Sequence, residues 1–219
     1  MPSFRHEKRC TEAGAVRIAG IDEVGRGPLA GPVVAAVAVI DRAVAKRKLL
    51  RLIDDSKKLT LEQREEAYAA MVDSGIVRYA VGEASAEEID AVNILQATFL
   101  AMRRALQGLA EQPDLVLIDG NRVPPELGCR AETIVGGDAR SYSIAAASII
   151  AKVTRDRYMR GLAASFPGYG WETNVGYRSP DHLAALNRLG PTAHHRRTFA
   201  PVLRLLEPPL PLEEPVTAD

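Results

Sequence analysis

The sequence predicts a mixed α/β sheet covered by helices. Three observations carry that expectation. The chain opens with a strand–loop–strand unit, the second strand is a Val-rich apolar run (VVAAVAVI, residues 33–40), and later apolar runs alternate with helix-capping signals.

The elements follow in chain order. Residues 1–14 are polar and are expected to be a flexible N-terminus. Residues 16–21 form a short run of β character and residues 33–40 a second one. Between them lies Asp22-Glu23-Val24-Gly25-Arg26-Gly27-Pro28, which reads as a structured turn by its glycines and proline. Thr60-Leu61-Glu62-Gln63 has the form of a capping box, so a helix is expected to about Ser74, closed by Gly75. Residues 76–82 alternate as a strand does. Ser85-Ala86-Glu87-Glu88 is a second capping box, after which Ile89, Val92, Leu95, Phe99, Met102 and Leu106 recur at helical spacing. Residues 115–118 read as a short buried strand ending at Asp119-Gly120, and residues 143–164 as a long helix with small residues early. The Pro- and Glu-rich tail, residues 206–219, is expected to be flexible, which leaves residues 15–205 as the folded body.

Hydrophobic residues make up 47% and charged residues 26% of the 219, enough apolar material for a sizeable core and against global disorder. Lys+Arg and Asp+Glu are 28 each and the pI is near 6.9. That balance counts against a strongly basic nucleic-acid binder, whose domain pI usually exceeds about 9, although a local basic face can hide within it. Cys10 and Cys129 stand far apart without metal-ligand spacing and read as free thiols in a reducing compartment. No apolar run reaches the ~18 residues of a membrane span, and the N-terminus lacks an apolar signal core, so a soluble, cytoplasmic protein is expected.

Four acids stand out. Asp22 and Glu23 adjoin the first apolar strand, Asp119 follows Leu115-Val116-Leu117-Ile118, and Asp138 follows two glycines before the long helix. Rigid strand ends can aim carboxylates at one point, where an oxygen-liking divalent cation would relieve their repulsion. Each of these acids alone is equally at home as a turn former or helix cap, so composition and spacing reach no further than a candidate carboxylate metal site.

The local sequence reaches further. Ile21-Asp22-Glu23-Val24-Gly25-Arg26-Gly27-Pro28-Leu29-Ala30-Gly31-Pro32-Val33 resembles the opening signature of ribonuclease HII. Further segments resemble that family in order: Asp55-Ser56-Lys57-Lys58-Leu59, Ile89-Asp90 with Asn93-Ile94, Ile118-Asp119-Gly120-Asn121, Gly137-Asp138 leading into residues 143–156, and Gly190-Pro191 with His195-Arg196. The likeness spans roughly residues 15–205. It implies a ribonuclease H-like mixed five-stranded sheet flanked by helices, the first three strands antiparallel, with a helical C-terminal region from about Ser179.

The resemblance also implies a function: an endoribonuclease that cuts the RNA strand of RNA–DNA hybrids and nicks at ribonucleotides embedded in duplex DNA, using Mn²⁺ or Mg²⁺. Its catalytic and metal-binding carboxylates map onto Asp22, Glu23, Asp119 and Asp138. Its Gly-Arg-Gly loop maps onto Gly25, Arg26 and Gly27, whose backbone would meet the ribose 2′-hydroxyl, the group that separates RNA from DNA. Ser56, Lys57, Lys58 and Lys152 map near the substrate backbone, and Tyr177 onto a substrate-reading tyrosine. Since the net charge is zero, Lys57, Lys58, Lys152 and Arg26 are expected to be concentrated near the site. The flanks of Tyr177 depart from the family pattern: Asn174-Val175 stand where a His or Lys commonly precedes the Gly-Tyr, and Arg178-Ser179 where Gly-Thr commonly follows. Arg155 and Asp156 read as a structural ion pair or helix-surface charges, Tyr169 and Trp171 as hydrophobic anchors, and His182 and His195 as phosphate-side or packing residues. The expected partners are the hybrid and the ribonucleotide-containing duplex, with no membrane, for a monomer.

Three competing readings have discriminating features. A DNA nuclease of the same superfamily would not need the Gly-Arg-Gly loop and Tyr177. A non-catalytic hybrid binder would be expected to lose one of the four acids. A P-loop protein would carry Gly-Lys-Ser/Thr after the glycines, which this chain does not.

Overall fold

A strand whose side chains are apolar on both sides must be covered on both faces, and VVAAVAVI is such a strand. In the computed structural model, which describes residues 1–207, it forms β2 (Val33–Ile40), buried throughout. β2 pairs antiparallel with β1 (Ile18–Val24) and with β3 (Val77–Ala84), while β1 pairs in parallel with β4 (Leu115–Asp119) and β4 with β5 (Arg130–Ile134). The order is β3-β2-β1-β4-β5, a mixed five-stranded sheet with its first three strands antiparallel, as expected.

Alternation along β2 assigns its side chains to two cores. Val33, Ala35, Val37 and Val39 pack with Ala97, Ala101 and Ala105 of helix α5 (Ile94–Gln107). Val34, Ala36, Ala38 and Ile40 pack with Ala145, Ala146 and Ile149 of the long helix α6 (Tyr142–Ser165). The small residues early in α6 let it lie directly on β1. At Gly20 an added Cβ would fall 2.1 Å from the carbonyl carbon of Ser143, so only glycine admits this approach.

The helices start where the sequence signals them. After the short helix α2 (Arg47–Leu50), Thr60 and Ser85 complete capping boxes on α3 (Leu61–Asp73) and α4 (Ala86–Val92). The apolar repeat from Ile89 to Leu106 does not form one helix with α4, because Asn93 adopts φ +70° and its side chain accepts from the Leu95 and Gln96 amides to start α5. Asn tolerates that left-handed geometry better than most residues. Beyond α6 the chain is helical in short pieces: α7 (Trp171–Asn174), α8 (Pro180–Leu189) and α9 (Ala200–Leu206).

The N-terminal segment differs from the flexible one expected. Arg5–Glu12 form helix α1. Cys10 packs with Ile18, Leu117 and Ile144. Glu7 is 1% exposed and accepts from the Ser141 hydroxyl (2.7 Å) and the Ser143 amide (3.0 Å). Its polarity misled because one face of the helix is buried against the start of α6. Cys10 and Cys129 are free thiols. The turn expected at Asp22 begins later, since β1 runs to Val24. Residues 208–219 of the tail lie outside the described residues.

Candidate active site

The site grows out of the parallel pairing of β1 and β4. That register sets Ile21 beside Ile118, so the next residues, Asp22 and Asp119, reach the sheet's end side by side. Asp138 joins them from a single 3-10 turn (Gly137–Ala139) between β5 and α6. The turn is tied to β4 by the Gly137 amide, which donates to Asp119 Oδ1 at 2.6 Å. One carboxylate oxygen from each of Asp22, Asp119 and Asp138 lies within 4.8 Å of the others.

Glu23 stands beside this trio rather than within it. Its Oε1 pairs with Arg26 at 3.1 Å, and the two line a cavity of about 220 Å³ with Asp119, Asn121 and Arg122.

The electrostatics are those of clustered, buried acids. Asp22 is 5% exposed. Burial pushes its carboxyl well above the usual range and the charges of Glu23 and Asp119 push it further, while hydrogen bonds from Ser148 and the Glu23 amide oppose this. Asp119 and Glu23 are raised as well, each chiefly by burial. Ser148, which sequence reasoning left without a role, lies among the alanines and isoleucines of the apolar half of α6, and it bonds Ser56 at 2.8 Å. Ser56 is thereby one hydroxyl removed from Asp22.

Each of the expected cations is paired with an acid, Lys57 and Arg26 with acids of the site and Lys58 and Lys152 with others. Lys57 Nζ reaches Asp138 Oδ2 at 2.9 Å, a contact that raises the Lys57 pKa. Lys58 lies 3.7 Å from Asp55, and Lys152 lies 2.8 Å from Asp156. With Arg26 on Glu23, all four carry an acid of their own, so the free protein's basic groups are locally balanced rather than left as open positive charge. Ser148, Lys152 and Asp156 are four residues apart, one helix turn each, and share a face of α6 that advances about 6 Å per step. At Lys152 this face meets Tyr177, whose ring lies 5.6 Å from Nζ and is 39% exposed.

Arg155 is not the expected ion-pair partner of Asp156. It is fully buried, and its guanidinium donates to the carbonyls of Pro32 (2.9 Å), Val175 (2.9 Å) and Ala30 (3.0 Å). Arg196, also fully buried, donates to Gly25 (2.5 Å), Arg26 (3.0 Å) and Gly31 (2.9 Å). These two side chains hold the loop between β1 and β2 from beneath. Gly25 (φ +90°) is required there, because a Cβ would come within 2.3 Å of Arg155 Nε. Gly27 faces open space, with nothing within 4 Å of where a Cβ would stand. Tyr169 and Trp171 are buried anchors, as expected. His182 and His195 are 0% and 1% exposed, which makes them packing residues and leaves no phosphate-side role.

The chain is similar to several known proteins. A family model described as ribonuclease HII matches residues 19–202. A ribonuclease HII of Rhodospirillum rubrum is 56% identical over 206 residues, covering 94% of this chain and 92% of that protein. One of Paramagnetospirillum magneticum is 55% identical over 195 residues, covering 89% and 95%. The crystal structure of ribonuclease H2 from Pyrococcus horikoshii superposes with a TM-score of 0.71 at 30% identity, covering 87% of this chain and 97% of the other.

Proposed function

The chain belongs to the ribonuclease HII family, and we propose that Asp22, Glu23, Asp119 and Asp138 are the carboxylates with which it cuts. It is an endoribonuclease of ribonuclease H type, acting on the RNA strand of RNA–DNA hybrids. The observation that carries the residue assignment is the convergence of Asp22, Asp119 and Asp138 within 4.8 Å, from positions spread over more than half the chain.

The donors are all oxygens, and their mutual repulsion and raised pKa values are what a hard divalent cation relieves. We assign them to Mn²⁺ or Mg²⁺, with Asp22, Asp119 and Asp138 as the inner group and Glu23 beside it. Bound there, such ions would activate the attacking water and stabilise the leaving oxygen of a phosphodiester, leaving a 5′-phosphate.

The other residues place the substrate. The backbone of Gly25, Arg26 and Gly27 faces the ribose 2′-hydroxyl, in reach because Gly27 presents no side chain. Lys57, Lys58 and Lys152 exchange their acids for phosphates, and Ser56 holds Asp22 through Ser148. Tyr177, beside Lys152 one helix turn beyond Ser148 along α6, stacks on the neighbouring sugar. This arrangement also suits a nick at a single ribonucleotide embedded in duplex DNA. Residues 15–205 form the catalytic domain of a monomer working in the cytoplasm. Among the described residues no helix is long and apolar enough to cross a membrane.

The test is cleavage-site mapping on a continuous hybrid, on a duplex with one ribonucleotide and on plain DNA, with Mn²⁺, Mg²⁺ or chelator. Cuts confined to the ribose-containing strands and dependent on the ions are expected. Cleavage of plain DNA, or cleavage undiminished in chelator, would remove the assignment.

A further inference from the structure

The ring of Tyr177 is exposed, and its neighbours are the cations Lys152 and Arg155 at 5.6 and 5.7 Å. Its direction is therefore set mainly by its backbone, which follows a strained turn. Val175 has φ +42° and Gly176 φ +85°. A β-branched residue in the left-handed region is unfavourable and persists only where its surroundings over-determine it.

The restraints are visible one by one. The Val175 carbonyl accepts from Arg155 (2.9 Å) and the Gly176 carbonyl from the Leu29 amide (2.8 Å). The Tyr177 carbonyl accepts from the Ser179 amide (2.8 Å) and lies 2.9 Å from His182 Nδ1.

The protons on the histidines follow from their partners. Trp171 Nε1 can only donate, and it points at His182 Nε2 (3.1 Å). His182 Nε2 is therefore an acceptor, and its proton sits on Nδ1, aimed at the Tyr177 carbonyl. His195 Nδ1 accepts from the Thr192 amide (3.0 Å), so its proton sits on Nε2 and points at His182 Nε2, 3.2 Å away. Both rings are neutral, in one tautomer each. Burial lowers both, His195 to about 4, in keeping with that assignment.

We infer that His182, held in its Nδ1–H tautomer by Trp171 and His195, is a positioning residue that fixes the direction of Tyr177 at the substrate. The inference rests on the reading of Tyr177 as the sugar-stacking residue. The segment that carries His195 is bonded into the loop that reads the ribose, through its neighbours on either side: the Gly31 amide donates to the His194 carbonyl and the Arg196 amide to the Leu29 carbonyl. Both sides of ribose recognition thus hang on one buried network.

Two measurements test it. In the wild-type protein, long-range ¹H–¹⁵N correlation of the imidazoles should show His182 protonated at Nδ1 and His195 at Nε2. A His182 protonated at Nε2 overturns the inference, because nothing would then be donated to Tyr177.

Kinetics on a single-ribonucleotide duplex supply the second test. His182→Leu should lower kcat about tenfold with KM changed less than about twofold. His182→Asn, whose amide can donate from the Nδ1 position, should recover to within about threefold of wild type. Added to Tyr177→Ala, which should itself cost about tenfold, His182→Leu should cause no further loss. Full kcat in His182→Leu, or a loss that multiplies with that of Tyr177→Ala, overturns the positioning role while Tyr177 keeps its own. An unchanged kcat in Tyr177→Ala alone shows instead that the sugar-stacking reading has failed, and the positioning role falls with it.

Discussion

Asp22 and Arg196 are both buried and both ionisable, yet their surroundings are built in opposite ways. The Arg196 guanidinium is spread over the carbonyls of Gly25, Arg26 and Gly31. Burial and the nearby Arg155 lower its pKa, but only to about 9, so it stays charged at neutral pH. Asp22 has the Glu23 amide and Ser148 on its side and two further acids against it. A buried charge that has its hydrogen bonds is scaffold; a buried charge kept among like charges costs stability and marks the place where something else must bind. The two regions touch: the arginine region shapes the loop that leaves β1 directly after Asp22 and Glu23.

The largest expected effect separates activity from stability at the acids. Asp22→Asn should lower cleavage by about a thousandfold or more, because it removes a ligand from the cation site. In chelator the same variant should be more stable than wild type by about 1 kcal/mol, since a neutral amide relieves the repulsion. Urea unfolding in chelator checks this, and a destabilised variant would break the contrast drawn above.

The arginines should behave in the opposite sense. Arg196→Met leaves three carbonyls under the loop without their donor and should cost about 3–5 kcal/mol, added ions or not. A loss under about 1 kcal/mol in the same urea assay would show that water can replace the guanidinium.

The histidines allow a test by pH. His195 is lowered from 6.5 to about 4 when folded. Above pH 6.5 it is neutral in both states and its contribution to stability is complete. As pH falls, the unfolded chain takes up the proton first, so stability should drop by about 3 kcal/mol between 6.5 and about 4. The raised carboxyls of Asp22, Glu23 and Asp119 act the other way, gaining stability as they protonate. Denaturant midpoints should therefore be compared in the Asp22→Asn background, where that opposing gain is reduced. A flat profile there would mean that His195 is protonated inside the fold.

Glu7 lies between the two kinds of region and sharpens the comparison. Its Oε1 accepts two hydrogen bonds at the start of α6, whereas its buried Oε2 has no partner. Glu7→Gln keeps an acceptor and gives up the charge near a helix N-terminus, so a loss of only about 1 kcal/mol is expected. A gain in stability would place Glu7 with the acids of the active site rather than with the arginines.

Much of this molecule is legible in the chain itself, for reasons local to each segment. VVAAVAVI can satisfy its side chains only between two layers. Thr60 and Ser85 carry their caps within four residues, and the segment around Asp22 is specific enough to name a family. Other features depend on partners distant in sequence. β5 is an edge strand of charged and half-buried residues, whose pairing exists only because β4 offers it an edge. Helix α1 looks like a loose polar segment until Ser141 and Ser143 arrive to donate to Glu7. Arg155 reads as an ion-pair or surface charge and Arg196 carries no role in the sequence, and the partners of both are backbone carbonyls, which no side-chain pattern reveals. The ion pairs that occupy Lys57, Lys152 and Arg26 are likewise invisible in a net charge of zero. The sequence by itself determined the central strands, the capped helices, the acids and the chemistry they suit, because those depend on residues next to one another. Only the tertiary structure decided which buried charges are satisfied, because that depends on what the fold packs around each of them.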